Sequence, residues 1–162
     1  IMKLLKLALI AAALGAPAVA SAQVMPQGGP GIAVAASVDQ STLPKDAKDF
    51  IARHYPDAKV ASIEKNFLRT EYDVRPTNGV EIEFNGKGHF RQISAPRGTV
   101  LPEAVVKAIL PHKAYQHLKD NNLAGYVDEI DRDGRGYDVG LILETPDEVT
   151  YTIVGEFVEF DD

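Results

Sequence analysis

The apolar positions of this chain fall into the same order twice. Leu43, Ala47, Phe50 and Ile51 stand at i, i+4, i+7 and i+8, the spacing of one helix face, and Leu101, Val105, Ala108 and Ile109 repeat it. Pro44 and Pro102 follow the leading leucines and fit the first turn of a helix, where a missing N–H costs nothing. Lys45, Asp49 and Arg53 share the opposite, solvated side of the first helix and can pair. Pro56 ends that helix near His54 and Tyr55. Pro111 breaks the second helix, and Tyr115 and Leu118 predict a further short helix running to about Asp120.

After each helix the period changes from helical to two. Strands are predicted at roughly 59–65, 70–75, 79–85 and 89–94, then at 126–132, 137–143, 149–154 and 156–160. Tyr72 and Val74 face one way and Glu71, Asp73 and Arg75 the other. Val80, Ile82 and Phe84 oppose Glu81 and Glu83. One face is dry and one wet, as in an antiparallel sheet covered on one side. Asn78-Gly79, Asn85-Gly-Lys-Gly88 and Asp133-Gly-Arg-Gly136 supply hairpin turns, since Asn, Asp and Gly accept the backbone such turns need.

The order helix, four strands, helix, four strands predicts an α+β fold: two tandem helix-plus-four-stranded antiparallel units, with helices packed on one face of the sheet and the opposite face open. Each unit of about 60 residues would be marginal alone, so the pair is expected to share one core over 41–162, unit one at about 41–97 and unit two at about 98–162. Ile51 to Tyr72 spans 21 positions and Ile109 to Tyr137 spans 28. On this alignment the seven added residues are the helix after Pro111.

Residues 1–22 carry a leader pattern. Lys3 and Lys6 precede the apolar run Leu7–Leu14, and Ala20-Ser-Ala22 forms a small-residue cleavage site. The run is shorter than the ~20 residues of a membrane helix, so no membrane anchor is expected and the product is placed in the periplasm or outside the cell. With no Cys in the chain, lipid attachment at the cleavage site and disulfides are both excluded. Pro26-Gln-Gly-Gly-Pro-Gly31 marks 23–40 as a flexible linker, in which the apolar stretch 32–38 is open to being either coil or a strand along a sheet edge. The formal charge of -6 becomes -8 once the two leader lysines are removed. Such a chain does not bind nucleic acid through bulk electrostatics, and its charge suits solubility or a basic partner.

No hydrolase, zincin, phosphate-loop or dinucleotide motif occurs. His112 and His117 are five apart and share no helix face for a metal. A catalytic site would need His89 beside Glu81 or Glu83. Asp131-Arg-Asp133-Gly134 has its Gly at the wrong place for a calcium loop and is read first as a hairpin turn, with Asp128, Asp131 and Asp133 as a weak cation site. The acidic strand face is the other constellation. Glu71, Asp73, Arg75, Glu81, Glu83 and Arg91 project from neighbouring strands away from the core. They form either a solvated surface with cross-strand ion pairs worth ~0.2–1 kcal/mol each or a partner-binding face.

The Leu43-Pro44 helix, the Tyr72-Asp-Val74 strand and the segment Asn78-Gly-Val-Glu-Ile-Glu-Phe-Asn-Gly-Lys-Gly-His-Phe90 together resemble the PepSY-like, beta-lactamase-inhibitor-like family of small bacterial periplasmic proteins, over about Leu43 to Phe160. The resemblance implies tandem units, no established activity, no catalytic residues and no cofactor. It points to inhibition or protein binding. Unit two departs from the pattern, with Glu144-Thr-Pro-Asp-Glu-Val149 in place of an Asn-Gly turn and a minimal Gly turn at Gly155. The expected function is therefore a non-catalytic periplasmic binding module, in its sharpest form an inhibitor of an exported enzyme, with another periplasmic or secreted protein as partner. The competing expectation is a small-ligand or cation-binding envelope protein.

Overall fold

The computed structural model of the protein describes residues 39–66 and 68–161. The leader and nearly all of the linker predicted from the sequence lie outside these residues. The linker's last positions are ordered by a cap: the Asp39 carboxylate accepts hydrogen bonds from the Ser41 N–H (2.8 Å) and hydroxyl (2.7 Å), opening a short 3-10 turn at Gln40–Thr42.

The elements follow as α1 (Lys45–His54), β1 (Val60–Asn66), β2 (Glu71–Pro76), β3 (Glu81–Asn85), β4 (Phe90–Ser94), α2 (Glu103–Ile109), α3 (His112–Asp120), β5 (Val127–Arg132), β6 (Gly136–Leu141), β7 (Glu148–Thr152) and β8 (Phe157–Asp161). All eight strands form one antiparallel sheet in chain order. The protein is α+β, with three helices and an open eight-stranded sheet.

Strand register converts the period-two pattern into a continuous core. Ile63, Val74, Ile82, Ile93, Ile130, Val139, Val149 and Phe160 lie opposite one another from β1 to β8. The six central members are almost wholly buried. Ala47 and Ile51 of α1, Val105 and Val106 of α2, and Ala114 and Leu118 of α3 join the same core. The Phe50 ring lies 5.5 Å from Phe84 and 5.2 Å from Phe90, so α1 sits on this side of the sheet. His117 does the same for α3, 5.6 Å from Tyr151 and 4.6 Å from Phe157. Burying each large aliphatic side chain contributes about 1.5–3 kcal/mol. The exposed ion pairs, such as Lys113–Glu156 and Lys119–Glu103, are screened by solvent and add little. Packing therefore dominates the stability, as a chain without cysteine requires.

The helix correspondence inferred from the sequence needs correction. Gly88, with φ +87°, is pressed against Pro44 and the Ala47 N–H of α1. Gly155, with φ +83°, is pressed in the same way against Pro111 and the Ala114 N–H of α3. The glycines are 67 positions apart and so are the prolines. Leu43, Ala47, Phe50 and Ile51 thus correspond to Leu110, Ala114, His117 and Leu118. The counterpart of α1 is α3, and the added helix is α2, which Leu101-Pro102 opens. The polar contacts across this seam also match, with the acid on the helix in one and on the turn in the other: His89 meets Asp46 (3.5 Å), and Glu156 meets Lys113 (2.9 Å).

Candidate functional site: the open face of the sheet

On the side away from the helices, the same register lines up charge. Glu64, Asp73, Glu83, Gln92, Asp131, Asp138, Thr150 and Glu159 lie opposite one another across all eight strands. Six of these eight are acids and none is basic. A second row, one step along the strands, carries Glu81, Ser94, Glu129, Gly140, Glu148 and Asp161. Alternation along each strand forces this: a strand whose inward residues build the core presents its outward residues on one surface.

Beside these rows, on β2, stands the cation Arg75. Its Nε donates to Glu81 (2.9 Å) and its guanidinium reaches Glu64 at 3.4 Å. At the centre of the sheet, neutral donors take over. Gln92 Nε2 and Ser94 Oγ, the latter at 3.1 Å, donate to the Glu129 carboxylate. Elsewhere the carboxylates crowd. Partial burial, then the charges of Glu64 and Glu71, push the Asp73 carboxyl up from its ordinary value, against the pull of Arg75. Partial burial followed by Asp138, Asp161, Asp147 and Glu129 raises Glu148. Shallow depressions occur in both halves of the face, one between Asp73, Arg75, Glu83 and Gln92, the other between Asp138, Glu148, Thr150 and Glu159.

Of the residues singled out from the sequence, Glu71, Asp73 and Arg75 on β2 and Glu81 and Glu83 on β3 share this face, with Asp73 directly opposite Glu83. Arg91 falls at a register shift, where Phe84 pairs with Phe90 and Glu83 with Gln92. The three candidate cation ligands have separate placements. Asp131 belongs to the acidic row. Asp128 sits at the register shift between Val127 and Glu129. Asp133 is committed to the β5–β6 turn: Oδ1 accepts from the Arg135 N–H (2.6 Å) and Gly136 N–H (3.0 Å), and Oδ2 from Arg135 Nε (3.0 Å). Those backbone donors hold its carboxyl below the ordinary range. Among the described residues, no group of three or more His, Cys, Asp or Glu side chains is arranged to hold a metal ion. His89 is exposed and pairs with Asp46 of α1.

Reading unit one alone missed the unit-two half of the face: Asp138, Glu148, Glu159 and Asp161. The signal was present, since the Tyr-Asp-Val triplet that places Asp73 recurs as Tyr137-Asp-Val139.

The chain matches a family model described as "putative beta-lactamase-inhibitor-like, PepSY-like" over residues 33–92 and again over 70–159. Solved structures similar to it include a "putative periplasmic protein of unknown function" from Bacteroides vulgatus, 30% identical, with 76% of this chain and 95% of that chain covered and a TM-score of 0.62. A "putative calcium-regulated periplasmic protein" from Bacteroides thetaiotaomicron is 29% identical, with 77% and 94% covered and a TM-score of 0.64. A third periplasmic protein, from Bacteroides vulgatus, is 26% identical, with 77% and 94% covered and a TM-score of 0.62. None of the curated proteins matches the sequence.

Proposed function

Because the chain belongs to the PepSY-like family, we propose that it is a non-catalytic binding module of the bacterial periplasm that docks a basic protein partner on the open face of its sheet. The observation that carries this reading is the row from Glu64 to Glu159, six carboxylates in eight positions with no cation among them. A surface shaped only for solubility would intersperse both signs. A predominantly acidic surface, on which Arg75 and Arg135 are the cations lining its depressions, steers and orients an oppositely charged partner. The family description supports the narrower form, in which the partner is an exported enzyme and docking inhibits it. The leader pattern and the periplasmic descriptions of the similar structures support the location. Affinity capture from a periplasmic extract, with the partner identified by mass spectrometry, tests the reading. Capture should weaken with added salt and be lost in Asp73→Lys/Glu83→Lys. Equal recovery by that variant and the unaltered protein would overturn it.

A second reading rests on the calcium-regulated description of the Bacteroides thetaiotaomicron protein. Since no three His, Cys, Asp or Glu side chains are arranged to hold an ion among the described residues, this reading would rest on a cation drawn loosely to the crowded carboxylates around Asp138 and Glu148. A calcium titration that leaves the melting temperature unchanged would remove this reading and leave the first one standing.

A further inference from the structure

The strand β8 corresponds to β4. Phe157, Glu159, Phe160 and Asp161 stand 67 positions after Phe90, Gln92, Ile93 and Ser94, and both strands carry their register shift at the same place. The far edge of β4 is covered by β5. In that seam Ile93 lies opposite Ile130 on the helix side, while Gln92 and Ser94 lie opposite Asp131 and Glu129 on the open side. Neutral donors on β4 thus meet acids on β5. The far edge of β8 has no strand paired to it among the described residues. It also gathers exposed apolar surface: five of the nine exposed large apolar side chains among the described residues lie between Ile153 and Phe160. Phe157 and Phe160 are 42% and 43% exposed, and their rings lie 4.6 and 5.8 Å from His117.

From this geometry we propose that β8 is an acceptor edge, and that its occupant is an extended segment of a partner protein in which basic and apolar residues alternate. The chemistry follows from the two seams compared. Where β4 offers Gln92 and Ser94, β8 offers Glu159 and Asp161, so the incoming strand must bring cations where β5 brings acids. Its apolar residue, opposite Phe160, would lengthen the inward row that runs from Ile63. The backbone groups on the outer side of an edge strand supply hydrogen bonds to the added strand.

A second copy of this chain does not fit. The strand corresponding to β5 is β1, and placing β1 of another copy beside β8 in the register of the internal seam sets Glu64 opposite Glu159. Pairing β8 with β8 about Phe160 sets Glu159 opposite Asp161 in both directions. Like charges directly opposite are destabilising. The acids that guard the edge against self-association also select a basic strand. This inference goes beyond the open-face reading; it shares Glu159 and Asp161 with that face, and the N-methylated peptide and exchange at 157–161 separate the two.

The test uses the full chain and three synthetic peptides of about seven residues: one alternating Lys and Val, one of the same composition in blocks, and the alternating peptide with N-methylation at every second residue. Binding is followed by fluorescence anisotropy, and the site by amide hydrogen exchange. The alternating peptide should bind and slow exchange within 157–161. Affinity should fall roughly tenfold or more for the blocked and the N-methylated peptides, and likewise in Glu159→Gln/Asp161→Asn. It should be retained in Asp73→Lys/Glu83→Lys. Equal binding of all three peptides, no slowing of exchange in β8, or undiminished binding by Glu159→Gln/Asp161→Asn would each overturn the proposal. Equal binding of all three peptides would be attraction by the open face alone.

Discussion

Gly155 rests on Pro111 so closely that a β-carbon built on the glycine would lie 2.7 Å from the proline Cβ. Gly88 meets Pro44 at the same 2.7 Å. Each contact locks a β-hairpin turn onto the first turn of a helix, and each glycine has a positive φ that side chains resist. Gly88→Ala and Gly155→Ala should each destabilise by about 1–3 kcal/mol. Thermal melts of the two variants should shift by similar amounts, and an unshifted melt for either would show that its turn can move off the helix.

Gly136 is a harsher case for a different reason. A Cβ there would fall 1.9 Å from the Tyr151 carbonyl oxygen, across the β6–β7 ladder. The obstacle is backbone, with no flexible side chain to yield. Gly136→Ala should cost about 3 kcal/mol or more, measured by chemical denaturation.

The hydroxyl of Tyr151, a residue almost wholly buried, is hydrogen-bonded to His117 Nδ1 at 2.9 Å. Unit one has Phe50 and Phe84 at the corresponding positions. His117→Phe alone should strand that hydroxyl and destabilise by about 1–3 kcal/mol. Adding Tyr151→Phe should recover most of the loss, since it recreates the all-phenylalanine contact of unit one. Strict additivity in this double-mutant cycle would disprove the coupling.

The acidic rows have a pH signature. Asp73 and Glu148 are raised above their ordinary values of 3.8 and 4.5. In the interval just above those values the folded protein holds more protons than the unfolded chain. These two groups therefore make stability fall as pH rises through that interval. Asp73→Asn and Glu148→Gln should each raise the melting temperature at neutral pH by a small amount, below about 1 kcal/mol given their exposure, and flatten that part of the profile. Added salt should stabilise the unaltered protein in the same direction. A lower melting temperature for both variants at neutral pH would contradict like-charge crowding on this face.

The strands were legible because alternation is a local signal. Tyr72 and Val74 against Glu71 and Asp73 identify both the strand and its wet face, and the turns were marked by Asn-Gly and Asp-Gly pairs. The pairing of helices between the two units was misread for a specific reason. Leu101, Val105, Ala108 and Ile109 reproduce the stripe of α1 with apolar residues throughout, whereas in α3 the place of Phe50 is taken by His117. A polar residue at a core-facing position hid the match that Pro111 and Gly155 reveal in space. The continuity of the acidic rows was equally out of reach. It depends on cross-strand register, including four register shifts, and register is a relation between distant residues.

The order β1 to β8 also bears on how the molecule is made. Every strand pairs with its neighbours in sequence and with nothing more remote. Each strand after β1 finds its preceding partner already made, and only β4 waits across a longer stretch, α2 and α3, for its next one. Such a meander can be laid down strand by strand as the chain emerges, and its short loop closures favour rapid folding. A protein delivered end-first through a narrow translocation pore would reach its native sheet in the order of delivery.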